Sequence, residues 1–387
     1  MKITDCRLGS FDKVNEIMDE MIRLRNQIAK NAGFSSYVDY IYQYLGRFDY
    51  NRADCESFHA AAELHIKPLW FELVQKRTES LGLGSIRPWD LDVDEKSRSP
   101  LVPFQTDVEL VEKILAVFKA MDEEFYHFTL KMKCDGLLDV SSRIGKAPGG
   151  FNYPLPVTGA PFIFMNATNK HRDVSVLTHE LGHAFHTFLS YRLAYRFQSN
   201  VPSEVAELAS MSMELFASEY WDIFYPDKND VSRALYDELT GIVRTLLWVA
   251  CIDAFQHWLY EHPYHNLEAR ENAWQEIQNR FYGDSIDWSG IEDYRRGGWQ
   301  KQLHIFEVPF YYIEYGIAQL GALRLWKNYK SNPSETLSKY KEALSLGYTA
   351  TIPEIYETAG ITFDFGADCV KEVVDFLRSE ISACENV

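Results

Sequence analysis

Positive charge is scarce in this chain of 387 residues: 39 lysines and arginines stand against 56 aspartates and glutamates, for a formal charge of −17. Such an acidic protein repels phosphate backbones, and no run of Lys and Arg supplies a local basic patch, so nucleic acid is not expected as a partner. Cysteine is also sparse. Cys6, Cys55, Cys134, Cys251, Cys369 and Cys384 lie far apart and form no C-x-x-C pair, which predicts reduced, mostly buried thiols in a cytoplasmic protein, not a disulfide frame. Long apolar runs are missing too. The greasiest stretch, Gly241 to Leu259, is broken by Arg244, Asp253, Gln256 and His257, so no membrane span is expected. The N-terminus carries no apolar core of signal-peptide length, and there is no internal repeat, low-complexity tract or flexible linker. What is present is 46% hydrophobic and 25% charged, which excludes wholesale disorder. A chain of this length buries roughly three quarters of the surface it exposes when unfolded.

Helical periodicity dominates. Val14, Ile17, Met18, Met21, Leu24 and Ile28 recur at three- and four-residue steps, with Gly33 as a C-terminal stop. Thr106 and Glu109 have capping-box spacing ahead of Val111, Ile114, Leu115 and Phe118, and Asn332, Pro333 and Glu335 read as a cap, a first-turn proline and a reciprocal acid. Strand-like signal is confined to residues 147–166, which are rich in Gly and Pro and end in the apolar run Phe162 to Met165. The pattern predicts one mostly helical unit with a small irregular or sheet element near residue 160.

Chemistry concentrates at His179-Glu180-Leu181-Gly182-His183. Residues four apart share a helix face, so both imidazoles reach one metal ion. Glu180 projects from a neighbouring angle, where it contacts a water bound to that metal. Zinc lowers the pKa of such a water towards neutrality, and the glutamate takes its proton. A catalytic zinc usually has three protein ligands and one open position. The third is expected in residues 202–214, PSEVAELASMSME, where Glu204, Glu207 and Glu214 are the candidates. Glu207 and Glu214 are seven apart and nearly share a face, so one can bind the metal while the other orients a ligand from behind. Spacing does not choose between them.

A third cluster runs from His304 to Tyr315, HIFEVPFYYIEY. Tyr312 and Tyr315 are three apart and share a helix face. Phenols suit the oxyanion that develops when water attacks an amide carbonyl, and an aromatic packing stripe is the competing reading.

The segments GGFNYPLPVTGAPFIFMN, DVSVLTHELGHAFH, AELASMSMELF and HIFEVPFYYIEYGIAQLGAL, in that order, resemble the thimet oligopeptidase and oligoendopeptidase F family of zinc metallopeptidases, with the closer likeness to the oligoendopeptidase F branch. PEIYETAGITFDF near the C-terminus and AGFSSYVDYIY with LGRFDY near the start extend the likeness over nearly the whole chain. The resemblance implies a mainly α fold: a large helical metallopeptidase catalytic domain over residues 1–387, with a small β element near the zinc-binding helix. It implies one zinc ion per chain, with His179, His183 and Glu207 matching the ligands, Glu180 the general base and Glu214 an acid behind a ligand. His304, Tyr312 and Tyr315 match groups that bind substrate and stabilise the tetrahedral intermediate, and Phe162, Phe164 and Tyr311 match substrate-binding positions. The run Phe162 to Met165 resembles the strand along which such enzymes add an extended peptide. The implied activity is hydrolysis of internal bonds in short oligopeptides.

Family members usually carry a further helical portion before the segment matching Ile22 to Tyr50. Either the sequence is a truncated or split form, or it is a shortened natural variant, or that part of the channel wall is supplied by a second copy of the chain or another partner. Two alternatives stand beside the endopeptidase reading, the first of them following from the missing wall. One is a peptide-binding protein with little turnover. The other is a dipeptide-trimming exopeptidase, in which Arg295, Arg296 or Arg324 anchors the free carboxylate.

Overall fold

The computed structural model describes residues 2–385. Helix ends follow local chemistry. The Phe11–Asn31 helix stops where Gly33 takes φ +84°, with the Phe34 N–H donating to Ala29 O and the Gly33 N–H to Lys30 O. Thr106 accepts from the Glu109 N–H at 3.1 Å, but the Glu109 carboxylate reaches the Gln105 N–H instead of closing the box on Thr106. The Asn332 side chain accepts from the Glu335 N–H ahead of Pro333–Ser345.

The buried face of Phe11–Asn31 differs from the expected stripe. Phe11, Asn15, Met18, Ile22 and Ala29 are buried, whereas Ile17, Leu24 and Ile28 are 48%, 45% and 46% exposed. Met18 belongs to the expected series and is buried, but packing turns the side bearing Phe11, Asn15, Ile22 and Ala29 inward and leaves Ile17, Leu24 and Ile28 outside.

The chain divides into two compact units: Met1–Arg98, Ile242–Gly316 and Phe365–Val374 form the first, and Ser99–Gly241, Ile317–Asp364 and Asp375–Val387 the second. The divisions at 241/242, 316/317 and 374/375 fall inside the helices Lys228–Glu261, Tyr312–Ser331 and Ala367–Glu385. Divisions of that kind need no Gly-, Pro- or Ser-rich linker.

In the first unit the greasy stretch is a core helix. Val243, Leu246, Leu247, Val249, Ala250, Ile252, Phe255 and Leu259 are buried. Among the described residues no helix is long and apolar enough to cross a membrane.

The second unit holds a three-stranded sheet in the order β1-β3-β2, with β1 at Leu138–Ser141, β2 at Phe151–Leu155 and β3 at Ala160–Ala167. β1 runs parallel and β2 antiparallel to β3. Its core includes Phe118, Phe125 and Phe185, the last two stacked at 4.4 Å. The strand bearing Phe162 and Phe164 is therefore the middle one, hydrogen-bonded on both sides. Phe164 is already stacked on Phe151 at 4.9 Å. A peptide cannot pair along residues 162–165 as the resemblance suggests, because both ladders are taken. Among the described residues the open edges belong to β1 and β2.

Candidate metal centre

Two helices of the second unit build the centre. The first, His171–Ser190, is fixed at its start by the Asp173 carboxylate, which accepts from the N–H groups of Thr168 and Lys170 at 2.6 and 2.9 Å. Its apolar face, Val174, Leu177, Leu181, Ala184 and Phe185, is fully buried. That burial leaves His179 and His183 on an adjoining face, one turn apart, with their side chains 23% and 21% exposed. The second helix is Ser203–Ser218. Tyr356 and Tyr340 donate to the carbonyls of Glu204 and Ala209, at 3.0 and 2.7 Å. These bonds pin the turn that presents Glu207.

Glu207 Oε2 lies 3.4 Å from His179 Nε2 and 3.7 Å from His183 Nε2, and accepts from Ser210 Oγ at 3.0 Å. Behind His179, Glu214 Oε1 accepts from Nδ1 at 2.7 Å. That bond fixes the tautomer, so the lone pair of Nε2 faces the Glu207 carboxylate. A positive centre between them, either a metal ion or a proton on Nε2, relieves the opposition. Of the three candidate acids, Glu207 joins the imidazoles, Glu214 backs one of them, and Glu204 has no ligand atom in the group.

The donor set fits a divalent cation of the zinc type. The ligand atoms of His179, His183 and Glu207 all lie within 4.8 Å of one another. The two nitrogen-to-oxygen distances are close to the roughly 3.3 Å that separates ligands in a tetrahedral zinc site.

Charge inside this pocket is strongly perturbed. Burial pushes the Glu180 carboxyl up to about 7; the His179 charge and an Asn152 backbone hydrogen bond pull it down, while Glu207 and Glu214 add to the rise. Burial opposes a proton on His179, but its hydrogen bond to Glu214 and the surrounding carboxylates raise it to about 9. Burial lowers His183 to about 4. Three carboxylates crowded around two imidazoles form a cavity that favours positive charge.

Sequence reasoning missed two contributors here. Asn152 on β2 donates its side-chain amide to Glu180 O at 3.4 Å, and its place in the Gly- and Pro-rich segment gave no sign of it. Gly182 carries no functional group, yet its missing side chain lets the two helices meet: a Cβ there would stand 2.6 Å from Ser210 Cα. The glycine inside the His-Glu-Leu-Gly-His motif was the available signal.

The remaining candidates lie in the first unit and gather with one another. The His304 ring centroid is 5.2 Å from that of Tyr312 and 5.8 Å from that of Tyr315, and stacks on Tyr311 at 5.9 Å. All four rings are half-buried, while Ile313 and Glu314 between them are buried. Burial pushes the Tyr312 phenol up to about 12 against a hydrogen bond with Trp248, so it remains a proton donor at neutral pH. Arg25 and Arg47 brace this segment. Arg25 donates to Ile305 O and Phe306 O, and Arg47 donates to Phe310 O and to Glu314. Phe310 is held at φ +66°, a conformation costly for a bulky residue unless its surroundings impose it.

The three arginines considered as carboxylate anchors are engaged elsewhere. Arg295 donates to Gln278 and Asn279, Arg296 pairs with Glu271 and Asp293, and Arg324 donates to Thr362.

Residues 6–374 match peptidase family M3, and the chain belongs to that family. It is 24% identical over 249 residues to an oligoendopeptidase F homolog of Borreliella burgdorferi, covering 61% of this chain and 40% of that protein. It is 22% identical over 330 residues to the plasmid oligoendopeptidase F of Lactococcus lactis subsp. cremoris, covering 83% and 52%. Among solved structures, Pz peptidase A with an inhibitor superimposes with a TM-score of 0.90 at 30% identity, over 98% of this chain and 66% of that one. The chain thus spans about half the length of these curated relatives.

Proposed function

We propose that this member of peptidase family M3 is a zinc-dependent endopeptidase that hydrolyses internal bonds of oligopeptides. The observation that carries the reading is the convergence of His179, His183 and Glu207, with Glu180 beside them and Glu214 behind His179. His179, His183 and Glu207 would hold one zinc ion. Bound there, the ion would act as a Lewis acid on the scissile carbonyl and on water.

Glu180 takes the proton of the attacking water and delivers it to the leaving amine. A carboxylate placed beside a metal-bound water can serve both halves of that transfer. Glu214 keeps His179 Nδ1 protonated and its Nε2 free for the metal. The substrate backbone pairs with the open edge of β2. Asn152 on that strand reaches Glu180, and Phe151 and Tyr153 are 48% and 61% exposed. His304, Tyr312 and Tyr315 are assigned to the substrate and its oxyanion, with Tyr311 as a further substrate contact, on the family resemblance.

A mass-spectrometric time course on a length series of unstructured peptides tests the reading, with Glu180→Gln as control. Wild type is expected to release two internal fragments. The variant should keep its fold and metal and lose about 10²–10⁴-fold in rate. A ladder of trimmed products would replace the endopeptidase assignment. Equal turnover by the variant would remove Glu180 from the mechanism.

A further inference from the structure

A second set of metal-ligand side chains lies buried in the first unit, outside the centre already described. Cys55 and His59 are one turn apart on the Arg52–Ala61 helix, and Asp253 and His257 are one turn apart on the Lys228–Glu261 helix. The two pairs face each other. His59 Nε2 lies 2.9 Å and His257 Nε2 3.4 Å from the same oxygen, Asp253 Oδ2. The Tyr42 hydroxyl is 3.2 Å from Cys55 Sγ and 3.3 Å from His257 Nε2. The ligand atoms of Cys55, Asp253 and His257 all lie within 4.8 Å of one another. Cys55 and Asp253 are wholly buried, and His59 and His257 are 3% and 4% exposed.

From this juxtaposition we propose that Cys55, Asp253 and His257 form a structural site for a divalent cation of the zinc type, separate from the His179 centre, with His59 hydrogen-bonded to Asp253 behind it. Three protein donors of sulfur, nitrogen and oxygen are ligand types that zinc takes, and the Tyr42 hydroxyl lies beside two of them. Interhelical metal sites are built in this way, from i, i+3 or i, i+4 pairs on facing helices.

Two features distinguish the arrangement from an ordinary buried hydrogen-bond network. Both imidazole Nε2 atoms converge on one carboxylate oxygen, while Asp253 Oδ1, fully buried, has no hydrogen-bond partner; nor does His257 Nδ1. A network formed only for hydrogen bonding would leave no buried polar atom of the cluster unpaired. Charge balance agrees. Binding would release the Cys55 thiol proton to solvent, so that thiolate, carboxylate and two neutral imidazoles sum with a dication to zero. Burial at this depth demands a neutral sum. The ion would tie the two helices together beneath Phe310, whose ring lies 5.1 Å from that of His257. It would thereby brace the loop that carries the His304 to Tyr315 cluster.

Cobalt(II) tests the site, because the His179 centre contains no sulfur and only Cys55 would give a thiolate-to-cobalt charge-transfer band in the near ultraviolet. The intact chain, stripped of metal and reloaded, is expected to bind two ions and to show that band. His183→Ala should retain one ion and the band. Cys55→Ser should retain one ion without it. Wild-type protein that binds a single ion, or two ions with no sulfur band, overturns the proposal, as does a band that survives Cys55→Ser. The wild-type titration decides the matter even if either variant fails to fold.

Discussion

Gly182 and Ser210 touch across the two helices of the candidate centre so closely that a β-carbon on residue 182 would meet the Ser210 Cα at 2.6 Å and the Ala209 carbonyl oxygen at 2.8 Å. Both obstacles are backbone atoms, so no rotamer change relieves them. Gly182→Ala is expected to force the helices apart, destabilising the protein by about 1–3 kcal/mol and weakening metal binding. Truncating Ser210 to Gly in the same background should not rescue it. Denaturant unfolding and a zinc titration check this, and an unchanged affinity with unchanged stability would show that the helices accommodate the methyl group.

Glu214 acts on the metal only through His179. Glu214→Ala is expected to leave the fold intact and to lower metal affinity about 10–100-fold, read by competition with a chelator. Unaltered affinity would remove Glu214 from the support of the centre.

The pair Arg47–Glu314, 2.7 Å apart with side chains 1% and 4% exposed, fixes the segment before the tyrosines. Arg47→Met takes the guanidinium away from a buried carboxylate and should cost about 3–5 kcal/mol. Adding Glu314→Leu should return part of that loss, though not the hydrogen bond from Arg47 to Phe310 O. Urea midpoints decide. A loss below about 1 kcal/mol for Arg47→Met would place the pair with ordinary surface bridges.

Glu238 supplies a pH dependence. Its Oε2 accepts from Ser175 Oγ at 3.0 Å. Burial, followed by the charge of Glu214, pushes its carboxyl from 4.5 up to about 7. Because the folded-state pKa is raised, the folded protein holds this proton more tightly. The group's contribution is therefore full below pH 4.5 and is lost as pH rises through 7. Glu238→Gln should gain stability relative to wild type across that window. Melting both proteins through the window tests it, and a constant difference would show that Glu238 titrates normally.

Much of the local architecture was legible. The Gly33 stop and the Asn332 cap are read from short-range backbone chemistry, and the structure places them where the spacing puts them. His179 and His183 were legible as a pair for the same reason, since the helical repeat sets their face whatever surrounds it. Other readings needed the fold. The apolar stripe through Ile17, Leu24 and Ile28 is as regular as the one that is buried, and periodicity cannot rank two stripes on one helix. Residues Phe162 to Met165 read correctly as extended, but nothing in them reveals that β1 and β2 occupy both their edges. The tyrosines of 311–315 showed a shared face, yet not the arginines from residues 25 and 47 that hold their loop.

The sequence by itself determined which residues belong to each helix face and which pairs stand one turn apart, because those relations repeat every few residues along one chain. Only the tertiary structure decided which faces meet. It set Glu207 against both imidazoles while Glu204 stayed out of the group, and it brought Cys55 and His59 onto Asp253 and His257 across nearly two hundred positions. The physical reason is range. Helical spacing is fixed by hydrogen bonds between near neighbours, whereas the meeting of two helices depends on shape, such as the missing β-carbon of Gly182, that is expressed only when both surfaces are present.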